Sequence, residues 1–363
     1  MAIEEEIRAI EEEISKTKYN KATEGHIGRL KSKVARLRDE VEKRASSKSG
    51  GEGFSVKKSG DASVVLVGFP SVGKSTLLNS LTGTESAVAA YEFTTLDVVP
   101  GAMEHKGATI QVLDVPGLVR GAASGRGRGK EVIAVIRNAD LAVILLDVFQ
   151  LVHYDVLLQE LYEAGIRVNS RPPDITIKKK ARGGVNISST VDLDLGEDTI
   201  KTILGEYRIH NANVLIRENI TIDQLIDAVL DNRKYLPGIV VINKIDLADE
   251  YALRACKEKF PDALLVSADK KVHIEELKDR LFEKLGFIRI FMKPQGKAAD
   301  LEEAMIIRYG ATIGDVCDKL HRDFRKRFRY AQIWGTSAKH EGQRAGLDHM
   351  MDDNDILTLV MRR

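Results

Sequence analysis

A short apolar run followed by a glycine-rich loop constrains this chain more than any other feature. Residues 63–67 read SVVLV, the pattern of a strand that is buried on both faces. Residues 68–76 read GFPSVGKST, which matches G-x-x-x-x-G-K-[ST], and a helix-like LLNSL follows at 77–81. In such a strand–loop–helix unit, successive backbone N–H groups wrap phosphates at the helix N-terminus. The sequence therefore predicts a P-loop phosphate site on an α/β sheet.

Two side chains of this loop have predicted roles of their own. Lys74 is expected to neutralise the β- and γ-phosphates of a nucleotide, and Ser75 to offer its hydroxyl to Mg²⁺. The predicted nucleotide-binding residues of the loop are Gly68, Phe69, Pro70, Ser71, Val72, Gly73, Lys74, Ser75 and Thr76.

Further apolar runs extend the predicted sheet. They stand at 109–113, 141–146, 239–242 and 263–266, and each is short and almost free of polar residues. This pattern predicts a doubly wound, mostly parallel α/β sheet with both faces covered. About ninety residues separate the third and fourth runs of the chain, which is far more than a helical crossover needs, so an inserted subdomain is expected there.

The predicted domain organisation follows from changes in pattern along the chain. Isoleucines at helical spacing, a break at 20–28 and a second periodic stretch predict an N-terminal helical hairpin, and SSKSGGEG at 46–53 is typical of a linker. In the insertion, strands at 175–179 and 185–189 are expected to pair around Arg182, with a strand at 213–216 and a helix capped by Thr221. A β-grasp-like pattern closes the chain, with strands at 288–292, 303–308 and 356–360 and a helix at 313–320. The predicted domains are the hairpin region 1–50, the first part of the α/β domain 54–150, the inserted α+β subdomain 151–236, the second part 237–286, and the β-grasp domain 287–363.

Composition excludes several other classes. The chain of 363 residues carries 55 Lys+Arg against 54 Asp+Glu, a formal charge of +1, so neither a uniformly basic nucleic-acid coat nor an acidic tail protein fits. Cys256 and Cys317 are too few for a disulfide framework and fit a reducing compartment. An N-terminus with glutamate triplets and the lack of an apolar stretch of about 18 residues predict a cytoplasmic protein without membrane contact.

A carboxylate and a glycine follow the second strand of the predicted sheet. Asp114-Val115-Pro116-Gly117 ends the run at 109–113, at the sheet edge where ligands of parallel α/β sheets bind. Asp114 is expected to hold Mg²⁺ through water, and the Gly117 N–H to sense the γ-phosphate.

Two further motifs indicate which base is bound. Asn243-Lys244-Ile245-Asp246 follows the run at 239–242, and Ser267-Ala268 follows the run at 263–266. The Asp246 carboxylate can accept from both the ring N–H and the exocyclic amine of guanine, whereas adenine presents the opposite pattern. Asn243 is expected to contact the base edge, the Lys244 stem to cover the ring, and the Ala268 N–H to meet the guanine carbonyl. The motifs favour GTP and GDP as ligands and disfavour an ATPase.

With these motifs in place, the sequence resembles the translation-factor-related GTPases, and among them the Obg-related developmentally regulated GTP-binding proteins. Three features carry the closer match: YEFTTL at 91–96, GLVRGAASGRGRG at 117–129, and the long insertion before Asn243. The resemblance covers nearly the whole chain and implies a ribosomal-protein-like inserted domain and a C-terminal TGS domain of β-grasp fold. Length and the lack of a leader suggest an archaeal-type or minimal member.

The resemblance implies a Mg²⁺-dependent GTPase whose catalytic residues are Lys74, Thr95 and Gly117 and whose metal ligands are Ser75, Thr95 and Asp114. For the switch I threonine, Thr94 stays an alternative to Thr95, because spacing and chemistry do not separate adjacent hydroxyls. Leu118 stands where Ras-like enzymes place the water-orienting glutamine, so slow intrinsic hydrolysis is expected. The positive charge that stabilises the transition state would come from K⁺ near Ser71 or from arginines of the same chain. Arg120, Arg126 and Arg128 are the candidates.

Local basic runs point to partners. Lys178-Lys179-Lys180 with Arg182, and KLHRDFRKRFR at 319–329, combine cations as RNA-binding surfaces do, although either run can equally be a solvated face. The expected partners are GTP or GDP, a ribosome or RNA bound through these runs and the TGS domain, and a stabilising protein. The predicted function is a GTP-hydrolysing switch near the ribosome. An alternative from another class is an RNA-binding or ribosome-assembly module in which GTP is mainly structural.

Overall fold

The computed structural model describes residues 2–48, 58–82, 98–116 and 129–362. It divides the chain into two compact units, one of Met1–Phe54 with Tyr162–Tyr235 and one of Ser55–Leu161 with Leu236–Arg363. The helices are α1 Ala2–Lys16, α2 Glu24–Lys48, α3 Lys74–Thr82, α4 Gly129–Asn138, α5 His153–Glu163, α6 Glu197–Glu206, α7 Ile222–Leu230, α8 Glu250–Lys259, α9 Ile274–Lys284, α10 Ile313–Leu320 and α11 Arg322–Arg327, with a 3-10 helix at Ile245–Leu247. The strands are β1 Ala62–Val67, β2 Val99–His105, β3 Ala108–Asp114, β4 Leu141–Asp147, β5 Ile166–Val168, β6 Ile175–Lys179, β7 Val185–Ser189, β8 Ala212–Ile216, β9 Lys234–Leu236, β10 Gly238–Asn243, β11 Leu264–Leu265, β12 Phe287–Met292, β13 Ala304–Arg308, β14 Phe328–Trp334, β15 Gln343–Ala345 and β16 Asp355–Met361.

The larger unit is built on a six-stranded sheet in the order β11-β10-β4-β1-β3-β2. Its neighbouring strands run parallel except at the β2 edge, which pairs antiparallel with β3. Every residue of β1 and of β4 is buried, as expected for strands that are covered by helices on both faces. The prediction of a P-loop α/β fold with a mostly parallel sheet is confirmed.

The predicted β-grasp domain forms a second sheet in the same unit, in the order β13-β12-β16-β14-β15. Thr312 is the N-cap of α10 and forms a capping box, and the helix buries Ile313, Val316 and Cys317 against this sheet. The sequence analysis did not predict β14. Its first residues belong to the basic run at 319–329, where the alternation of apolar and polar residues that is typical of a strand is hard to recognise.

The two sheets of the larger unit share a hydrophobic core. Phe287 and Ile306 of the β-grasp domain lie in the same buried cluster as Phe282 of α9. Two ion pairs also connect the β-grasp domain to the domain of the larger sheet. Arg308 donates to Asp140 at 3.1 Å, and Lys319 donates to Asp61 at 2.9 Å.

The smaller unit contains the N-terminal hairpin together with the chain between α5 and β10. Isoleucines of α1 pack against Leu30, Val34 and Leu37 of α2. α6 and α7 cover one face of a three-stranded sheet in the order β6-β8-β7. Thr221 caps α7 as predicted, accepting from the backbone N–H of Gln224.

The predicted pairing of the strands around Arg182 is wrong. β8 lies between β6 and β7, antiparallel to the first and parallel to the second. β8 is the most apolar of the three strands, with Ala212, Val214 and Ile216 buried, so the central position buries it best. The connection 180–184 can cross from one outer strand to the other, a distance of about 10 Å.

The predicted break at 20–28 is also too long, since α2 begins at Glu24 and includes two glycines. A Cβ at Gly28 would lie 3.2 Å from the Ile203 side chain, and one at Gly25 would lie 3.6 Å from the Thr199 hydroxyl. These glycines interrupt the apolar pattern because they let α2 approach α6 closely.

Glu24 joins the hairpin to α6. Its buried carboxylate accepts hydrogen bonds from the Gly196 N–H and from the Thr199 hydroxyl, both at 3.1 Å. Gly196 is the N-cap of α6, and Glu24 of another helix binds its backbone N–H, as an N3 glutamate of the same helix does in a capping box. Burial raises the pKa of Glu24, but these hydrogen bonds outweigh it and leave the pKa below its ordinary value.

We therefore predict that Glu24→Gln lowers the stability of the smaller unit by about 1–3 kcal/mol near neutral pH, because buried donors lose their charged acceptor. A carboxyl with a lowered pKa stabilises the fold above its unfolded pKa, about 4.3, and this contribution is lost as pH falls through the folded pKa. The difference between the parent and Glu24→Gln should shrink in acid. Thermal unfolding followed by circular dichroism tests this, with Glu5→Gln on the exposed face of α1 as the control. An equal effect of both substitutions would contradict the capping role.

Candidate nucleotide site

Polar groups collect at the carboxyl edge of the larger sheet. The glycine-rich loop follows β1, Asp114 ends β3, Asp147 ends β4 and Asn243 ends β10. Because β1, β3, β4 and β10 run parallel, these four chain segments meet at one edge.

The loop between β1 and α3 has the geometry of a phosphate cradle. Lys74 begins α3, is 8% exposed, and directs Nζ back to the carbonyls of Gly68 at 3.3 Å and Phe69 at 3.1 Å. Burial lowers the pKa of Lys74 and nearby Asp114 opposes that shift, so an anionic ligand beside the ammonium would favour its charged form.

Gly73 is required by its surroundings as well as by its backbone. Its φ is +95°, and a Cβ there would lie 2.4 Å from Nδ2 of Asn243. No L side chain fits that space without moving the Asn243 amide. The loop therefore depends on a residue far away in the sequence.

Ser75 and Asp114 are suited to hold Mg²⁺. The Ser75 hydroxyl donates to Oδ2 of Asp114 at 2.5 Å, which brings a hydroxyl and a carboxylate oxygen together at the start of α3. Such a pair of hard oxygen ligands fits Mg²⁺, whose remaining ligands in nucleotide sites are phosphate oxygens and water.

Asn243 links the segments predicted to contact the base to the phosphate loop. Its side chain is 2% exposed, and its amide group donates from Nδ2 to the Val72 carbonyl at 2.9 Å. Oδ1 accepts from the backbone N–H of Ala268 at 3.0 Å. One side chain thus fixes the positions of both neighbouring loops.

Lys244 makes a second link. It adopts a left-handed backbone conformation with φ +67°, and its Nζ donates to the Ser71 carbonyl at 2.8 Å and to Oδ2 of Asp147 at 2.7 Å. The other oxygen of Asp147 accepts from the Phe149 N–H at 2.9 Å. Sequence reasoning missed Asp147, although a carboxylate directly after the apolar run 141–146 was the same signal that identified Asp114.

The remaining predicted base contacts lie beside these links. Asp246 is exposed in the 3-10 helix that follows Lys244, where its carboxylate can meet a ligand. Ser267 is buried and its hydroxyl accepts from the Lys270 N–H at 3.1 Å. Ser267 therefore shapes the loop that presents the Ala268 N–H.

Phe69 makes a contact that the sequence did not indicate. Its ring stacks on the imidazole of His153 with centroids 4.2 Å apart, so the outer side of the phosphate loop rests on the start of α5. Spacing gave no signal, because the two residues are distant in the chain, Phe69 occupies a variable position of the phosphate-loop motif and His153 belongs to no motif.

Several predicted residues lie outside the described residues. These are Thr94, Thr95, Gly117, Leu118, Arg120, Arg126 and Arg128.

Known protein families match the chain in three consecutive segments. A family model described as a 50S ribosome-binding GTPase matches residues 63–179, one described as the C-terminal region of the MMR_HSR1 domain matches 182–287, and the TGS domain model matches 288–361. No helix in the described ranges is long and apolar enough to cross a lipid bilayer.

Similar proteins match over nearly their full length. A GTP-binding protein of Methanocaldococcus jannaschii is 58% identical, over 100% of this chain and 94% of its own. The developmentally-regulated GTP-binding protein 1 homolog of Dictyostelium discoideum is 45% identical over 100% of both chains. The ribosome-interacting GTPase 1 of Saccharomyces cerevisiae is 45% identical over 99% of both chains.

Fold and sequence together define a P-loop GTPase-type domain followed by a TGS domain. With full-length relatives at this identity, the chain belongs to the family of developmentally regulated GTP-binding proteins.

We predict that Gly73→Ala costs about 1–3 kcal/mol at this site through backbone strain and displacement of the Asn243 amide. GDP affinity, measured by titration calorimetry, should fall by roughly tenfold or more. Gly205→Ala in α6 is the matched control, because nothing lies within 4 Å of its added Cβ, and it should leave affinity unchanged. Equal GDP affinity in Gly73→Ala and the parent would contradict the close contact.

Proposed function

We propose that this protein binds GTP with Mg²⁺ at the carboxyl edge of its larger sheet, hydrolyses it to GDP and phosphate, and acts as a nucleotide-dependent switch on the ribosome. The observation that carries the proposal is the pair of links from Asn243 and Lys244 to the phosphate loop. These contacts support one shared site for the sequence proposed to read guanine and the sequence proposed to bind the phosphates.

The residues divide the recognition of GTP between them. Asp246 reads the base through two acceptor contacts, and the Ala268 N–H donates to the guanine carbonyl. Lys74 and the N–H groups at the start of α3 offset the charge of the phosphates. Ser75 and Asp114 would hold Mg²⁺, which supplies charge neutralisation between the β- and γ-phosphates when bound.

Hydrolysis by the chain alone is proposed to be slow. Leu118 has no hydrogen-bonding group with which to orient the attacking water, so acceleration must come from a cation, an arginine or a partner. Thr95, or Thr94 in its place, and Gly117 would sense the γ-phosphate and make the GTP form differ from the GDP form.

The ribosome is proposed as the partner because a relative of the same length bears the name ribosome-interacting GTPase and one matching family model is described as ribosome-binding. A switch requires that a partner bind the GTP and GDP states with different affinity, or that it accelerate hydrolysis. Co-sedimentation with ribosomes, with GDP or a non-hydrolysable GTP analogue bound, tests this. Equal binding in both states and no change in turnover would favour an RNA-binding module with structural GTP.

Asp246→Asn tests the base assignment. The amide presents a donor to the extra carbonyl of xanthine and loses the paired acceptor contact to guanine, so preference should change from GTP to XTP. Competition titrations with both nucleotides measure the ratio, and Asp262→Asn, an exposed site outside the motifs, serves as the control. Unchanged GTP affinity in Asp246→Asn would show that this carboxylate does not read the base.

Turnover rates can determine whether a potassium ion or an arginine supplies the positive charge that accelerates hydrolysis. We expect slow hydrolysis in sodium buffer and faster hydrolysis in potassium buffer, because carbonyl oxygens of the phosphate loop can still bind a large cation. Ser71 stands where related GTPases that use such a cation have an asparagine. The competing account assigns this role to Arg120, Arg126 and Arg128. The arginine account is correct, and the cation account wrong, if two results are found together. Turnover rates in sodium and potassium would be equal, and arginine-to-alanine changes would lower the turnover rate by about a hundredfold or more.

A further inference from the structure

Among the described residues of the smaller unit, the hydrophobic core packs on only one face of the three-stranded sheet. Ile177, Ile187 and Val214 point to the core formed with α6 and α7. Because side chains alternate along strands, the residues between them share the other face, which we name the open face. The open face consists of Thr176, Lys178, Asn186, Ser188, Asn213 and Leu215.

The open face is polar and accessible. Lys178, Asn186, Ser188 and Asn213 are exposed, and the strand register places Lys178, Asn213 and Asn186 in one row across the sheet. No acidic residue occurs in 175–191 or in 207–217, so every charge that these segments contribute is positive.

Cations concentrate at one end of this face, in two loops that touch. The backbone of Lys180 donates to the Asn211 carbonyl at 2.9 Å, and the Asn211 amide oxygen accepts from the Gly184 N–H at 2.8 Å. These contacts hold together two loops that we name the basic loops. The basic loops are residues 180–184 and 207–211, with Lys180, Arg182 and Arg208 as their cations, and Lys178 and Lys179 stand beside them at the end of β6.

The other cations nearby, and the second basic run, are partly neutralised. Arg217 at the far end of the open face pairs with Asp174 at 2.8 Å. In the run 319–329, Lys319 pairs with Asp61 and Arg325 with Asp318. Within the described residues, the lysines at 178–180 and Arg182 make no ion pair. Their charge is therefore available to an external polyanion.

The side chains of the open face indicate which kind of polyanion binds there. It carries no aromatic ring among its six residues, so it offers no surface on which unpaired bases could stack. Asparagine amides and the Ser188 hydroxyl can both donate and accept, as contacts to ribose 2′-hydroxyls and to groove edges require. A flat face of about 10 Å between outer strands suits the wide, shallow minor groove of A-form RNA.

We propose that the open face and the basic loops bind double-helical RNA, with the asparagines in the minor groove and the basic loops on the phosphates. This inference rests on the proposed ribosome association for its setting, since it names the surface and the kind of RNA involved. Binding of RNA by this surface requires neither bound GTP nor GTP hydrolysis.

Fluorescence anisotropy of the full chain with GDP tests the proposal, with a generic RNA duplex of about 16 base pairs, the DNA duplex of the same sequence and the single RNA strand as probes. We expect the RNA duplex to bind most tightly. Lys178→Glu with Lys180→Glu and Arg182→Glu should weaken RNA binding by about tenfold or more and reduce the salt slope by about three. The matched control is the same charge reversal at exposed Lys18, Lys257 and Lys284, which should change binding by less than about twofold.

A second variant isolates the open face from the basic loops. Asn186→Ala with Asn213→Ala should leave the salt slope unchanged but remove the preference for the RNA duplex over the DNA duplex. Tighter binding of the single strand, equal binding of RNA and DNA duplexes by the parent, equal loss in the control, or no binding would each overturn the proposal.

Ribosome co-sedimentation and GTP turnover on the same preparations separate this proposal from the proposed function. Duplex RNA binding without ribosome association would leave the surface assignment intact and contradict the ribosomal switch. Ribosome association by the parent without duplex RNA binding would overturn the surface assignment alone and indicate a protein contact.

Discussion

The hydrogen bond from the Asn243 amide to the Val72 carbonyl is the contact on which the nucleotide site depends. It is 2.9 Å long and fully buried, and the same side chain holds the Ala268 N–H through its oxygen. A buried amide with both ends satisfied has one stable orientation, because reversing it would leave a donor facing a donor. The phosphate loop and the base loops are thereby fixed relative to each other before any ligand binds.

The rest of the larger unit supports that contact. Parallel strands bring Val72 and Asn243 to one edge, Gly73 leaves the space that the amide occupies, and the ion pair of Lys244 with Asp147 adds a second connection. The shared core beneath the two sheets extends this rigidity into the TGS domain. Under the proposed switch function, these packed elements are the route by which a change at the phosphates would reach a distant surface.

Sequence patterns predicted the parallel sheet and the β-grasp domain because buried strands and glycine loops are local signals. They missed Asp147 and the Phe69–His153 stack, whose meaning lies in contacts between distant residues. They also paired β6 with β7 wrongly, since a glycine turn between two strands looks the same whether or not a third strand enters between them. Gly25 and Gly28 were interpreted as a helix break because close helix packing leaves no local signature. The roles of the site residues remain predictions, and the residues at 94–95 and 117 also lie outside the described ranges.

The central claim is that the base half and the phosphate half of the site act as one unit. A double-mutant cycle on GDP affinity with Asn243→Ala and Lys74→Ala measures this most directly. If Asn243 acts through the phosphate loop, the two losses will be non-additive, with a coupling free energy above about 0.5 kcal/mol. Strict additivity would contradict the account and show that the two halves bind their parts of the nucleotide independently.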